Sequence, residues 1–152
     1  MKYYAGIGSR ETPADVLYAM GAIAVRLSYK GWTLRSGGAP GADSAFAQGA
    51  WDAFTEGDGD GRMLTRPEIY LPWLGFESIG NARLVNPQPE TFSIAEQFHP
   101  AWDRLSQGAK RLHARNVHQI LGPDVTTPLL SLGQLEVSQL RRPDRLRVLP
   151  RR

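Results

Sequence analysis

Two glycine-rich turns carry the residue types that bind phosphate groups. The first turn is Gly6-Ile7-Gly8-Ser9-Arg10, and the second runs from Ser36 to Asp43 with the sequence SGGAPGAD. Each turn follows a strand-like run and precedes a helix-like run, so backbone N–H groups and the positive end of a helix dipole meet there. Glycine allows a close approach of the backbone and positive φ values. Two such turns, spaced as in a βαβ unit, predict a site for a phosphorylated small molecule.

Side chains within the two turns extend this prediction. The Ser9 hydroxyl and the Arg10 guanidinium would join the backbone of Gly6 and Gly8 around one phosphate. Asp43 opens the following helix, where it would either cap that helix or accept a hydrogen bond from a ribose hydroxyl; capping is the commoner role. The remaining candidates of the second turn would hold another phosphate or the ribose: Ser36, Gly37, Gly38, Gly41 and Ala42.

A proline-rich stretch provides candidates for contacts with a nucleobase. Residues 72–100 contain four prolines and one predicted helical turn near Phe92–Phe98, and they follow a strand end, where open parallel sheets bind ligands. Trp73, Asn81 and Arg83 lie in this stretch and could stack on or hydrogen-bond to a base. The alternative is that Trp73, together with Phe76, only seals the edge of the sheet.

The last regular element is predicted to be one long helix, Trp102–Leu121. Asn116 falls on its apolar stripe with Arg115 beside it, and a buried amide must be hydrogen-bonded either by neighbouring backbone or by a ligand. Both residues are therefore candidate ligand contacts, although satisfaction by the protein is the commoner case. The residues of the predicted stripe are Leu105, Ala109, Leu112, Asn116 and Ile120.

The histidines and acidic residues predict neither a metal site nor a catalytic centre. His113 and His118 are five residues apart and project from different helix faces, while His99 stands alone before a proline. The glycine–aspartate run at 57–61 lacks the acidic residues that an EF-hand calcium loop requires, which favours a surface loop. No cofactor is required by these residues, although a bound nucleotide would suit the glycine turns.

The elements that position these residues alternate between strand and helix. Strands are predicted at 2–7, 32–35 and 69–73, and the second helix at 41–54. The first helix is predicted to begin with Thr12 as its cap and Pro13 in the first helical position, and to end at Gly31 in a left-handed conformation. This order predicts an α/β fold: a Rossmann-like parallel sheet flanked by helices in a single domain.

Composition indicates a cytoplasmic protein with one unusual end. The 152 residues include no cysteine, and no apolar run approaches the roughly 20 residues that span a bilayer. Residues 141–152 hold six arginines and one aspartate, a local charge of +5, so residues 1–140, with 12 basic and 14 acidic side chains, carry −2. A basic tail of this kind is usually a solvated end, and weak nucleic-acid binding is the alternative.

The same motifs resemble those of the SLOG superfamily, and more narrowly the small phage and prophage DprA-like recombination-mediator proteins. The similar segments are YAGIGSRETP (4–13), LRSGGAPGADSAF (34–46), EIYLPW (68–73), His99-Pro100 and LHARN (112–116), so the resemblance covers residues 1–128. It implies a Rossmann-like fold, homo-oligomers and a nucleotide-type ligand over the first two glycine turns.

Beyond residue 128 the chain departs from that pattern. The resemblance predicts a second glycine–threonine turn, whereas residues 129–152 form a divergent arginine-rich segment, so the end of the fold is expected to be atypical or truncated. A shifted reading frame would explain the change, and Leu146 and Val148 could still form a short substitute strand.

Three functions remain open at this stage. The first is the binding of a small nucleotide-type ligand for sensing or sequestration. The second is DprA-like binding of single-stranded DNA, against which the net acidic body argues. The third is a phosphoribohydrolase-like reaction, for which the PGGxGTxxE motif of the related enzymes is missing. The first is preferred, because no residue of the sequence can be assigned a catalytic role.

Overall fold

The computed structural model describes residues 1–57 and 64–125. Its centre is a parallel sheet of four strands in the order β1 (Lys2–Ala5), β2 (Trp32–Ser36), β3 (Glu68–Leu71) and β4 (Leu84–Val85). Tyr4 pairs with Leu34, and Arg35 pairs with Glu68. All neighbouring strands run in the same direction, so their carboxyl ends meet at one edge of the sheet.

Four α-helices flank the sheet and confirm the predicted single α/β domain. They are α1 (Ala14–Tyr29), α2 (Ala42–Glu56), α3 (Pro89–Phe98) and α4 (Gln107–Leu121). Short 3₁₀ turns occupy Phe76–Ser78 and Trp102–Arg104. Helices α1 and α2 connect β1 to β2 and β2 to β3, as expected of the crossovers in a Rossmann-like fold.

The two faces of the sheet differ in chemistry because successive side chains of a strand point in opposite directions. Leu34, Ile69 and Leu71 are buried in one core with Ala24 of α1 and Ala50 of α2. The other face is polar. There Arg35 Nε donates to Glu68 Oε2 at 2.8 Å and Tyr70 Oη donates to the same oxygen at 2.7 Å. The Tyr70 ring stacks on His118 of α4 at 5.6 Å, which places α4 over this polar face.

Helix α1 begins differently from the prediction and ends as predicted. Pro13, rather than Thr12, is the N-cap residue, and it makes no side-chain cap. The Thr12 hydroxyl instead donates to the carbonyl of Ser9 at 2.8 Å, within the first glycine turn. Gly31 follows the helix with φ of +76°, the left-handed conformation expected of it.

Two predictions about the second half of the chain were wrong. The stretch 72–100 contains β4 and the ten-residue helix α3, more regular structure than one helical turn. The segment 102–121 is divided: the 3₁₀ turn at Trp102–Arg104 precedes α4, whose N-cap is Ser106. The Ser106 hydroxyl accepts a hydrogen bond from the Ala109 N–H at 3.2 Å, which fixes the start of α4 at this residue.

Other predictions fall outside the described residues. These are the surface loop predicted for most of 57–61 and every prediction for residues 129–152, including the substitute strand at Leu146 and Val148. Among the helices that are described, none has the length and apolar character needed to cross a membrane.

Candidate functional site

A cleft of about 410 Å³ opens at the carboxyl edge of the sheet, between the two glycine turns and α4. It lies where open parallel sheets bind their ligands. Five predicted site residues line it together: Gly8, Arg10, Asp43, Arg115 and Asn116. Five lining residues were missed by sequence reasoning: Ile7, Ala39, Leu112, His113 and Gln119.

The first glycine turn presents free backbone donors to this region. No described residue accepts a hydrogen bond from the N–H groups of Gly8, Ser9 and Arg10, and all three residues are exposed. The Ser9 hydroxyl accepts from the Glu11 N–H at 3.1 Å and keeps its own proton for another partner. Gly6 differs, since its N–H donates to the Arg35 carbonyl at 2.9 Å and continues the sheet.

Close packing of the two turns explains two of the glycines. A Cβ built on Gly8 would lie 2.7 Å from the Cβ of Ala42. A Cβ on Gly41, whose φ is +83°, would lie 2.6 Å from the Ser9 carbonyl oxygen. The Ala42 N–H donates to that carbonyl at 3.1 Å. The first turn is therefore held in place by the start of α2, and substitution of either glycine would separate the two turns.

The second turn has most of its donors engaged by the protein. Ala39 N–H donates to Asp43 Oδ2 at 3.4 Å. Capping by Asp43, the role favoured from the sequence, was wrong: Gly41 is the N-cap residue of α2, and no side chain caps that helix. Ser36 is fully buried, and its hydroxyl donates to the Gly6 carbonyl at 2.7 Å. Gly38 has φ of +66°, and a Cβ there would collide with Ile79 in the apolar core. Ser36 and Gly38 thus shape the turn without lining the cleft.

Arg115 is the most constrained charged residue of the site. It is 5% exposed, and its Nη1 lies 3.4 Å from Asp43 Oδ2. The guanidinium occupies the space beside Gly37 that any side chain at that position would fill. In the amide orientation that satisfies its neighbours, the Gln119 oxygen accepts from Arg115 Nη1 at 3.0 Å and from the Gly37 N–H at 2.6 Å. Gly37 is therefore required for the seat of Arg115.

The charge of Arg115 is only partly compensated. Burial, and to a smaller extent the nearby Arg10 charge, lowers the pKa of Arg115, while Asp43 acts in the opposite direction. Arg115 Nε is buried without a hydrogen-bond partner among the described residues. Among the described residues, Arg10 and Arg115 are the arginines that line the cleft and Asp43 is the one carboxylate, so these side chains together carry a net charge of +1. An anion would relieve this repulsion.

The apolar stripe predicted for α4 was displaced by about one residue. Asn116 is exposed at the cleft, not buried, and Ile120 is 61% exposed. The buried face consists of Ala114, Arg115, His118 and Gln119. Because α4 covers a polar sheet face, polar side chains with specific partners form most of its buried surface, and hydrophobic periodicity could not identify it.

His118 is a structural residue that anchors α4. It is fully buried, its Nδ1 lies 2.8 Å from the Gly122 carbonyl, and its Nε2 accepts from the Gln88 N–H at 3.2 Å. These partners fix the tautomer, with the proton on Nδ1 donated to Gly122. Burial lowers the pKa of His118 despite this hydrogen bond. Within the described ranges no group of three or more His, Cys, Asp or Glu residues could hold a metal ion.

His99 is not isolated, contrary to the expectation from sequence. Its ring centroid lies 4.6 Å from that of His113, and Trp102 lies 6.4 Å from His99 and 6.5 Å from His113. We call these three residues the aromatic wall. The residues come from α4, the end of α3 and the 3₁₀ turn between them, so their meeting depends on how the two helices pack.

Three predicted nucleobase contacts lie away from the cleft lining. Trp73 packs edge-on against buried Phe76 at 5.2 Å and joins the core, in agreement with the alternative that it seals the sheet. Asn81 is exposed. Arg83 Nε lies 3.8 Å from Glu68 Oε1 and lines a second cavity of about 310 Å³ with Arg66, Pro67 and Ala82.

No protein-family model, curated protein or solved structure matches this chain.

Proposed function

We propose that this protein binds a small phosphorylated ligand of nucleotide type in the cleft between the first glycine turn and α4, for sensing or sequestration. One observation carries the proposal: Arg10 and Arg115 line the same cleft as Gly8, in a turn whose Gly8, Ser9 and Arg10 N–H groups have no acceptor among the described residues. These two arginines face one carboxylate, Asp43, among the described lining residues, so a phosphate would gain charge-assisted hydrogen bonds and reduce the repulsion between the guanidiniums. We also propose SLOG superfamily membership, since the turns that carry the resemblance form this cleft.

The phosphate is expected at the first turn rather than the second. At the second turn, the N–H groups of Gly37, Ala39 and Ala42 already have acceptors in Gln119, Asp43 and Ser9. The first turn leaves its donors available, and it has the exposed Arg10 beside them. Backbone donors in a glycine turn next to a guanidinium form a common phosphate-binding arrangement.

The contacts of Asp43 favour ligand binding without catalysis. Its carboxylate accepts from the Ala39 N–H and pairs with Arg115, and it is 5% exposed. A general acid or base needs a proton that can move at the reacting atoms. A carboxylate that accepts from the backbone of the second turn and pairs with Arg115 holds that arginine in place, so we assign Asp43 to the architecture of the site.

The test is a calorimetric titration of the full chain with adenine and guanine mononucleotides, NAD and ADP-ribose. At least one ligand should bind, and it should raise the melting temperature because it binds only the folded state. Arg10→Ala should weaken binding by about 10- to 100-fold, the effect of losing one or more charge-assisted hydrogen bonds of about 1.5–3 kcal/mol. Its melting temperature without ligand should stay unchanged, since Arg10 is exposed.

The matched control is Arg26→Ala. Arg26 is an exposed arginine in the last turn of α1 and does not line the cleft. Its loss should leave affinity within about twofold, because it removes the same charge from elsewhere on the surface. The proposal would be contradicted if no ligand of the panel binds at millimolar concentration, or if Arg10→Ala and Arg26→Ala lose the same affinity.

A further inference from the structure

The part of the cleft formed by Ile7, Leu112 and His113 differs chemically from the part formed by the arginines. Leu112 packs against the apolar core and also lines the cleft, and Ile7 is 47% exposed. Neither residue can pair with a phosphate. This region therefore offers surface for an uncharged, flat group beside the charged region.

His113 packs against the other two residues of the aromatic wall. His113 lines the cleft, while His99 and Trp102 pack against it from the segment between α3 and α4. On its other side Trp102 lies under Lys110 Nζ, 5.4 Å from the ring centroid. An imidazole packed against aromatic neighbours loses rotamer freedom before any ligand arrives, so a flat ligand group can stack on it at a lower entropic cost.

A lowered pKa favours the neutral form of the His113 ring at pH 7. Burial, and then the charge of His99, lowers the pKa of His113. A neutral imidazole offers an aromatic surface and one donor and one acceptor nitrogen, the groups that recognise the edge or the face of a base. The neutral ring adds no positive charge to the two arginines, so its expected role is contact with the uncharged part of the ligand.

Helix α4 sets the separation between the two regions. Leu112 and Arg115 are three residues apart on the helix, so they lie roughly 4.5 Å from one another along its axis. Arg115 and Gln119 sit at Gly37, whereas Leu112 and His113 lie toward the N-terminal half of α4. The cleft therefore has a charged region and an aromatic region side by side.

We propose that His113, backed by His99 and Trp102, is the base-recognition residue of the cleft, so that the ligand is a nucleoside monophosphate rather than a phosphorylated sugar. This inference rests on the proposed function, since it assigns the second half of the same ligand. His113 is a specificity determinant: it selects the group attached to the ribose phosphate, while Arg10 and the first turn hold the phosphate.

The experiment compares AMP, GMP, CMP and UMP with ribose 5-phosphate by calorimetry at pH 7.5. The wild-type chain should bind at least one mononucleotide about tenfold or more tightly than ribose 5-phosphate, within the range that stacking a base on an aromatic side chain provides. His113→Ala should remove this preference and leave the affinity for ribose 5-phosphate unchanged. His113→Phe, which keeps a ring at the same place, should retain most of it.

The outcomes separate this inference from the proposed function. If the wild-type chain binds ribose 5-phosphate and all four mononucleotides equally, or if His113→Ala keeps the preference, base recognition by His113 is overturned while phosphate binding stands. A loss of affinity for both ligand classes in His113→Ala would make the residue a general support of the cleft and would also overturn it. Failure of every ligand to bind the wild-type chain would overturn both proposals.

Discussion

At the residue scale, the two arginines of the cleft occupy opposite environments. Arg10 is exposed on the first turn, while Arg115 is buried against Asp43, Gln119 and Gly37. Truncating a buried, paired charge commonly costs about 3–5 kcal/mol because its partner is left behind, whereas an exposed charge can be removed at little cost. Arg10 is thus the position at which binding can be separated from folding.

The sequence identified individual residues better than their surroundings. The turns and Arg10 followed from local motifs, because glycine and the first residues of a helix act through the backbone. Gln119, Leu112 and the His99–His113 contact did not, because each depends on packing between α4 and distant segments. Asn116 and Arg115 were both candidate ligand contacts. Asn116 was expected to be buried but is exposed, whereas the neighbouring Arg115 is buried, because α4 lies on a polar face of the sheet.

His118 gives a prediction for the pH dependence of stability. Its pKa is lowered in the folded state, so the unfolded chain binds more protons once the pH falls below the unfolded value of about 6.5. The stability that His118 contributes is therefore present above this pH and is lost as the pH falls through it. The slope from this residue approaches about 1.4 kcal/mol per pH unit.

Urea unfolding between pH 5.5 and 8 measures this effect. The free energy of unfolding should decrease below pH 6.5, and His118→Phe should be less stable at pH 8 but should decrease less steeply. Phe keeps a ring against Tyr70 and removes the titrating group along with its two hydrogen bonds. Identical slopes in the two proteins would show that His118 does not carry the titration.

At the scale of elements, strands β1 to β3 and helices α1 and α2 were predicted because their signals are local. Glycine turns, Pro13 and apolar spacing mark their limits. Strand β4 has two residues and follows a 3₁₀ turn, so no periodicity can reveal it. Helix α3 begins at Pro89 after two further prolines at 72 and 87, which made the whole stretch look irregular although Pro89 suits the first turn of a helix.

The contact between α1 and α2 predicts opposite changes in folding stability for alanine substitutions at two glycines. A Cβ on Gly49 of α2 would collide with the Gly21 carbonyl of α1, whereas a Cβ on Gly21 would meet the Ala45 carbonyl oxygen at an ordinary 3.6 Å. Gly49→Ala should destabilise the fold by about 1–3 kcal/mol through forced separation of the helices. Gly21→Ala should stabilise it by about 0.5–1 kcal/mol through helix propensity.

Thermal or urea unfolding of the two variants decides this point. Both substitutions add the same methyl group to a helix interior, so each serves as the control for the other. Equal stability of Gly49→Ala and Gly21→Ala would mean that the helices do not approach each other as closely as described.

At the scale of the whole molecule, charge separates small-ligand binding from nucleic-acid binding. The described residues that line the cleft lie between Ile7 and Gln119, while residues 141–152 carry six of the 18 basic side chains. The homo-oligomer and the weak nucleic-acid binding expected from the sequence stay predictions. The parallel sheet and its helices were predictable as a class, whereas the relation between the cleft and the arginine-rich end was not.

Removal of residues 141–152 tests the role of this end. Any binding of single-stranded DNA should be lost, while nucleotide affinity should stay within about twofold. In the full chain, DNA binding should weaken with salt at a slope of about −0.7 for each phosphate neutralised and vanish near about 0.15 M salt. Filter binding or fluorescence anisotropy measures it. Tight DNA binding that survives the deletion at that salt concentration would favour the recombination-mediator alternative.

The most direct test of the central claim is a ¹H–¹⁵N NMR titration of the full chain with the mononucleotide that binds most tightly. The largest shifts are expected at the backbone amides of Gly8, Ser9 and Arg10 and at the Arg115 Nε–H, because these N–H groups have no acceptor among the described residues. Smaller shifts are expected at His113, and the signals of Arg66 and Arg83 in the second cavity should not shift. Unchanged amides of the first turn at saturating ligand, or shifts confined to that second cavity, would contradict the claim.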